Sequence, residues 1–391
     1  MVTPRWTAAA ALLLATAAAS CRRTAVATGL ADDRPAWEKT AAPILQSREA
    51  DDVARFLAGL PGAPDSPYLE LEQSAAWRQH RKALDNAWKR AGAHLLSGLA
   101  QFQRGELNRQ PMERAAVFYP FSGPDAITPL LCFPHSERYL LVALEPAGTL
   151  PAGGHIGKKN LPEYLAATRT TMGSILGRSF FVTREMDRQF RGQVTDGLML
   201  PILELLVRTG HTVLGFRYVR LDEEGRLIER TADYYAPEKI GDKGIEIEYR
   251  TSTDRSVHRL CYLSVNLSDE RLHENAPFLK FAASLKGSST LLKATSYMPH
   301  QPEFSTIRDL IMQVSGAVLQ DDSGIPYRYF SGSAWRVQLY GAYQRPYGSF
   351  RWMEQKDLRA AYSRPDVKPL PVEIGYGYRR IASNMLLAER R

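Results

Sequence analysis

The chain is poor in the residues that announce chemistry. Its 391 residues hold three cysteines, Cys21, Cys132 and Cys261, too few for a disulfide framework, and no CxxC pair of the kind that builds zinc ribbons or redox dithiols. Eight histidines are scattered singly; HExxH is missing, and no close spacing of His, Cys, Asp and Glu marks a metal site. A GxSxG elbow is missing too, and neither Ser122 nor Ser323 has a histidine nearby in sequence to complete a triad. The most glycine-rich stretch, Ala147 to Asn160, fails as a phosphate loop. Ala152 stands where the first glycine belongs, and Lys159 where Ser or Thr would meet magnesium. That stretch reads instead as a mobile loop, a lid over nearby strand ends. No metal and no cofactor is expected.

Charge of one sign is also in short supply. Lys and Arg number 50 against 42 Asp and Glu, a net +8, and the basic residues are interspersed with acids rather than gathered in a stripe. Nucleic acid is therefore not the expected partner. An anionic envelope polymer, lipid headgroups or a protein suit the modest excess better. Long apolar runs are missing after the N-terminus, where no segment reaches eighteen uninterrupted apolar residues.

What is present begins with an address. Arg5 precedes an apolar Ala/Leu stretch, Ala8 to Ala19, that is too short to span a bilayer and ends in small residues, so residues 1–20 read as a secretory signal. Ala18-Ala19-Ser20-Cys21 resembles a bacterial lipobox, with Ala18 where Leu or Val is usual. On that reading Cys21 is lipidated and its acyl chains hold the protein on a membrane; ordinary cleavage after Ala19 is the other reading. Arg22 after the cysteine resembles the pattern of lipoproteins sent to an outer membrane. Localisation is expected to be the periplasm or the cell exterior. Residues 21–48 lack a period and suit a tether. With Cys21 used by the lipid, Cys132 and Cys261 sit among apolar neighbours and are expected to be free, buried thiols.

The remainder reads as an α+β fold. Residues 49–110 form a helical cap, with Trp77, Leu84, Trp88 and Leu95 on one face of a long helix. Residues 111–391 form the main domain, a mixed sheet packed by long helices and extended by an antiparallel meander. Val117 to Phe121 and Tyr139 to Leu144 are apolar runs rich in branched and aromatic residues, the mark of strands buried on both faces. Arg184 to Arg208 reads as a helix that Pro201 kinks or splits. The segments 212–220, 226–230, 245–250 and 257–267 alternate as antiparallel strands with one wetter face, on which Glu246 and Glu248 would be solvated. Pro302 opens a helix with an apolar stripe running to Val318.

Strings around the two opening strands carry a resemblance. FYPFSGPD (118–125), LEP (144–146) and VLQDDSGIPYRYF (318–330) resemble segments of a family of uncharacterised bacterial exported proteins and lipoproteins. The resemblance covers most of the chain after about residue 50 and implies a shared fold and an envelope setting. It implies no activity, and no residue's role comes from it.

Polar loops at the ends of apolar elements supply the site candidates, because ligands gather where buried strands end. Four acids stand there, Asp125, Glu145, Asp321 and Asp322, with Ser122, Arg308 and His135 as binding or charge partners. Two such acids across a cleft divide acid and base roles in hydrolases of envelope polysaccharides; the same residue types also cap turns and form local ion pairs. Two functions follow. One is an envelope lipoprotein that binds a partner, lipid or glycan through a loop face, with aromatics from Tyr340, Tyr343, Tyr347 and Trp352. The other is a carboxylate-dependent hydrolase or transferase acting on an envelope glycan or small molecule.

Overall fold

The computed structural model describes residues 44, 46–109, 112, 115–150, 161–178, 197–230, 243–251, 256–376 and 383–391. The expected signal, Cys21, most of the expected tether, residues 151–160 of the stretch read as a loop and residues 184–196 of the helix expected over 184–208 lie outside the described residues.

Helices come first: α1 (Glu49–Leu57), α2 (Leu69–Glu72), α3 (Ala75–Ala91) and α4 (Ser97–Phe102). Ser74 starts α3 by accepting from the Trp77 amide at 3.1 Å, which satisfies one of the donors a helix start leaves orphaned. Trp77 and Leu84 point into the core, and the Trp77 indole donates to the Phe56 carbonyl at 2.9 Å. Two π-helical turns, Gly92–Leu96 and Gln103–Leu107, carry the helical run on to residue 107.

The apolar runs then pair. Strand β1 (Val117–Pro120) leads through α5 (Ile127–Cys132) to β2 (Arg138–Ala143), parallel to β1 with Phe118 opposite Leu140. Helices α6 (Leu161–Arg178) and α7 (Met199–Arg208) follow, so Pro201 sits in the first turn of α7, where a missing amide hydrogen costs nothing. The meander is β3 (His211–Leu221), β4 (Leu227–Glu229), β5 (Lys243–Thr251) and β6 (Val257–Ser264), antiparallel throughout. Next come α8 (Asp269–His273), α9 (Ala276–Ala283), β7 (Ser288–Leu292), α10 (Ser305–Val314), β8 (Ser315–Gln320), β9 (Trp335–Gly341), α11 (Lys356–Tyr362) and β10 (Asn384–Arg390).

Among the described residues ten strands join one mixed sheet in the order β4-β3-β5-β6-β2-β1-β7-β8-β10-β9. The expected α+β organisation holds, and its centre is parallel: β6, β2, β1, β7 and β8 run one way. One apolar core joins alternate strand residues such as Tyr119 and Leu141 to α1, α3, α4, α5, α6 and α7. On the other face Phe118, Leu140 and Val142 join α8 to α11. The connections from β1 therefore cross one face, and those from β6 and β7 cross the opposite face. Cys132 lies in the first core and Cys261 in the second; both thiols are free and buried, as expected.

Three expectations need correction. Glu246 and Glu248 are buried, not solvated: Glu246 accepts from Arg217 Nε at 2.8 Å, and Glu248 from Arg259 Nη2 at 2.6 Å. The alternation in β5 separates an apolar core from an ion-paired layer, so its polar face is also covered. The helix from Pro302 stops at Val314, and Val318 belongs to β8, which follows with no loop between. Tyr340 is no surface aromatic; it is fully buried, with its hydroxyl on Glu106 at 2.7 Å.

Candidate functional site

Because β1 and β7 are neighbours whose connections leave toward opposite faces, their C-terminal ends part and leave a crevice, the place where open sheets of this order hold ligands. A cavity of about 980 Å³ occupies it, at the upper end of the roughly 300–1,000 Å³ usual for small-molecule sites. Its walls are the residues that follow four of the five parallel strands: Phe121 to Gly123 after β1, Leu144 and Glu145 after β2, Val265 to Leu267 after β6, Lys293 to Ser296 after β7. Ile175 from α6, Leu95 from the first π turn, Phe304 and Phe350 close it. The lining is mostly apolar.

Lys293 anchors the floor. It is the first residue past β7 and only 5% exposed, and a buried ammonium must be paired. Its Nζ contacts the Asp125 carboxylate and donates to Thr128 Oγ1 at 2.8 Å. Asp125 is itself saturated with donors: the Thr128 amide at 3.1 Å, the Thr128 hydroxyl at 2.7 Å and the Tyr119 hydroxyl at 2.9 Å. Burial, and then the Asp125 charge, push the Tyr119 phenol well above its ordinary value, so it stays a donor. Nothing in the sequence flags Lys293 except a lone cation closing a short run of hydroxyl and apolar residues, Ser288-Ser-Thr-Leu-Leu-Lys293.

The two loops that frame the crevice are strained. Among the described residues the non-glycine positions with positive φ are Phe121 (61°), Ala294 (51°), Ser296 (57°) and Tyr297 (55°). Each costs roughly 1–2 kcal/mol for an L-residue, so neighbours must hold them. Asp321 Oδ2 accepts from the Ala294 amide at 2.8 Å, and Ser323 Oγ from the Thr295 amide at 2.9 Å. The Tyr376 hydroxyl accepts from the Ser296 amide at 2.8 Å and donates to the Ala294 carbonyl at 3.0 Å. Asp322 accepts from the Tyr297 hydroxyl at 2.5 Å and the Asn384 amide at 3.0 Å.

The sequence candidates therefore separate. Ser122, Asp125 and Glu145 line the cavity. Asp321 and Asp322, both buried, lie at the same sheet edge but direct their oxygens to the bracing of the 294–297 turn. Burial raises both carboxyls, and the Asp321 charge adds to the rise at Asp322. Arg308 is buried beneath that turn, donating to the Pro299 carbonyl at 3.1 Å with its guanidinium over the Tyr329 ring. His135 is exposed on the loop that enters β2, at the opposite edge of the sheet. Ser122 donates to the Gly123 carbonyl at 2.9 Å, with no base beside it in the hydrogen-bond pattern.

Glu145 differs from the other acids. Its Oε1 is buried without a hydrogen-bond partner, a state that costs about 1–3 kcal/mol when nothing fills it. Leu144, on the cavity wall, is 52% exposed; Tyr347 and Trp352, which flank Phe350 in sequence, are 62% and 66% exposed and are not among the lining residues. Among the described residues no cluster of His, Cys, Asp and Glu is placed to hold a metal ion, and no helix is long and apolar enough to cross a membrane. No family model, curated protein or solved structure matches the chain.

Proposed function

We propose that the chain is an exported, lipid-anchored protein of the bacterial cell envelope that binds a small, largely apolar molecule in the cavity where β1, β2, β6 and β7 end. The cavity carries the reading: it lies at the switch point of the parallel strands, is walled by apolar side chains and is floored by the Lys293–Asp125 pair. The apolar body of the ligand would replace water along the walls, worth roughly 25 cal/mol per Å² covered. The apolar stretch before Cys21 supports export and anchoring, which would keep the protein beside a supply of such molecules.

Binding is favoured over carboxylate catalysis by the state of Asp125. An acid that already accepts from three donors and contacts Lys293 is fixed in place with its oxygens occupied, which suits an anchor more than a group that must reach a substrate. The alternative, a hydrolase or transferase using Asp125 with Glu145, predicts that a folded Asp125→Asn protein loses turnover while still binding.

Fluorescence of N-phenyl-1-naphthylamine, a neutral apolar dye, tests the binding reading. The dye should brighten with the wild type, and Ser349→Trp, at an exposed position on the cavity wall, should weaken it about tenfold or more by blocking the mouth. Equal binding by the two proteins would remove the cavity from the account.

A further inference from the structure

We infer that the cavity selects a cationic amphiphile, an alkyl ammonium whose charged head pairs with Glu145. The inference rests on the reading of the cavity as a ligand site and adds the chemistry of the ligand. Among the described residues the wall carries three charged side chains, Asp125, Lys293 and Glu145. Asp125 and Lys293 neutralise each other. Glu145 is left over, with a buried oxygen that no donor among the described residues reaches. The cavity therefore has a deficit of one positive charge and one hydrogen-bond donor, and a bound ammonium supplies both.

Position and surroundings agree with this. Glu145 follows β2 and Lys293 follows β7, with β1 between them, so their backbones stand two strand spacings apart, roughly 10 Å. A cation at Glu145 is thus set away from the Lys293 ammonium. Aromatic rings line the same space: Phe121 meets Phe304 at 5.9 Å between centroids, and Phe350 meets Tyr376 at 5.4 Å. Ring faces attract ammonium groups through the aromatic quadrupole, most strongly where the cation is shielded from water. The net +8 of the chain would repel a cation at long range, so a preference for one has to come from the cavity.

Calorimetric titration of the whole protein with decylammonium, decanol and decyl sulfate, each below its aggregation limit, separates the possibilities. The ammonium should bind about tenfold tighter than the alcohol, with the sulfate weakest, and in Glu145→Gln the ammonium and the alcohol should fall within about twofold of each other. Equal affinities in the wild type overturn the inference while leaving the cavity as an apolar site, and so does a preference that survives Glu145→Gln. Failure of all three ligands together with the neutral dye overturns the cavity reading itself.

Discussion

Lys293 shows how a single buried cation can organise a site. Its contacts with Asp125 and Thr128, and through Asp125 with Tyr119, join the end of β7 to the end of β1. Removing one member strands a charge. Lys293→Met should lower stability by about 3–5 kcal/mol in urea unfolding, whereas Lys293→Met combined with Asp125→Asn should lose less than the two single changes added together, because neither charge is then left alone. A double mutant that loses the full sum would mean that the pair is not coupled. Asp322 provides a second test through pH. Burial, aided by Asp321, lifts its carboxyl to about 7, above the unfolded value of about 3.9. A folded state that holds its proton more tightly is favoured at low pH, so this group's contribution is complete below about pH 4 and is lost as pH rises through about 7. His80 and His300, both driven down to about 4 by burial, act in the opposite direction over part of that window. The informative quantity is therefore the difference between wild type and Asp322→Asn: the stability of the wild type relative to the variant should decline as pH rises from 4 to 7. A flat difference would contradict the assignment.

Among elements, the turn after β7 concentrates the strain. Ala294 adopts a left-handed conformation that glycine takes without a steric penalty. Ala294→Gly should raise stability by about 0.5–1 kcal/mol, since the relief of strain exceeds the added chain entropy, and a loss would show that the methyl group packs usefully. Much of this scaffold was legible beforehand. The apolar runs of β1 and β2 marked buried strands, and the alternation over 212–220 and 226–230 marked the paired strands β3 and β4, because burial on both faces and a period of two leave local signatures. The boundary between α10 and β8 was not legible. Ile307, Ile311, Val314 and Val318 keep helical spacing across a helix-to-strand junction, while β8 places Val318 on one face and Ala317 and Leu319 on the other. One apolar string satisfies both periods. The ion-paired layer of Glu246 and Glu248 escaped for a related reason: alternation reports two different faces but not whether the polar one is wet. Asp125, Glu145 and Ser122 were found because strand-end loops are readable; Lys293 was missed because its partner Asp125 lies far away in sequence.

On the scale of the whole molecule, two cores on either side of one sheet fix where access is possible. Cys132 and Cys261 lie in different cores, and burial pushes the Cys132 thiol up to about 12. Both thiols should resist Ellman's reagent in the native protein and react on unfolding; rapid reaction of either one would place it at the surface. The proposed anchor has its own check: metabolic labelling with an alkynyl fatty acid should tag the chain, and Cys21→Ala should abolish the tag.

The cavity at the C-terminal edge of the parallel strands is the centre of the account, and photocrosslinking addresses it most directly. A decyl ammonium bearing a terminal diazirine would be irradiated with the protein, and the adducts mapped by peptide mass spectrometry. Adducts should fall on the walls that follow β1, β2, β6 and β7, at Phe121, Leu144, Val265 and Met298. Adducts confined to other surfaces, such as the open groove lined by His94, Leu370 and Val372, would contradict it.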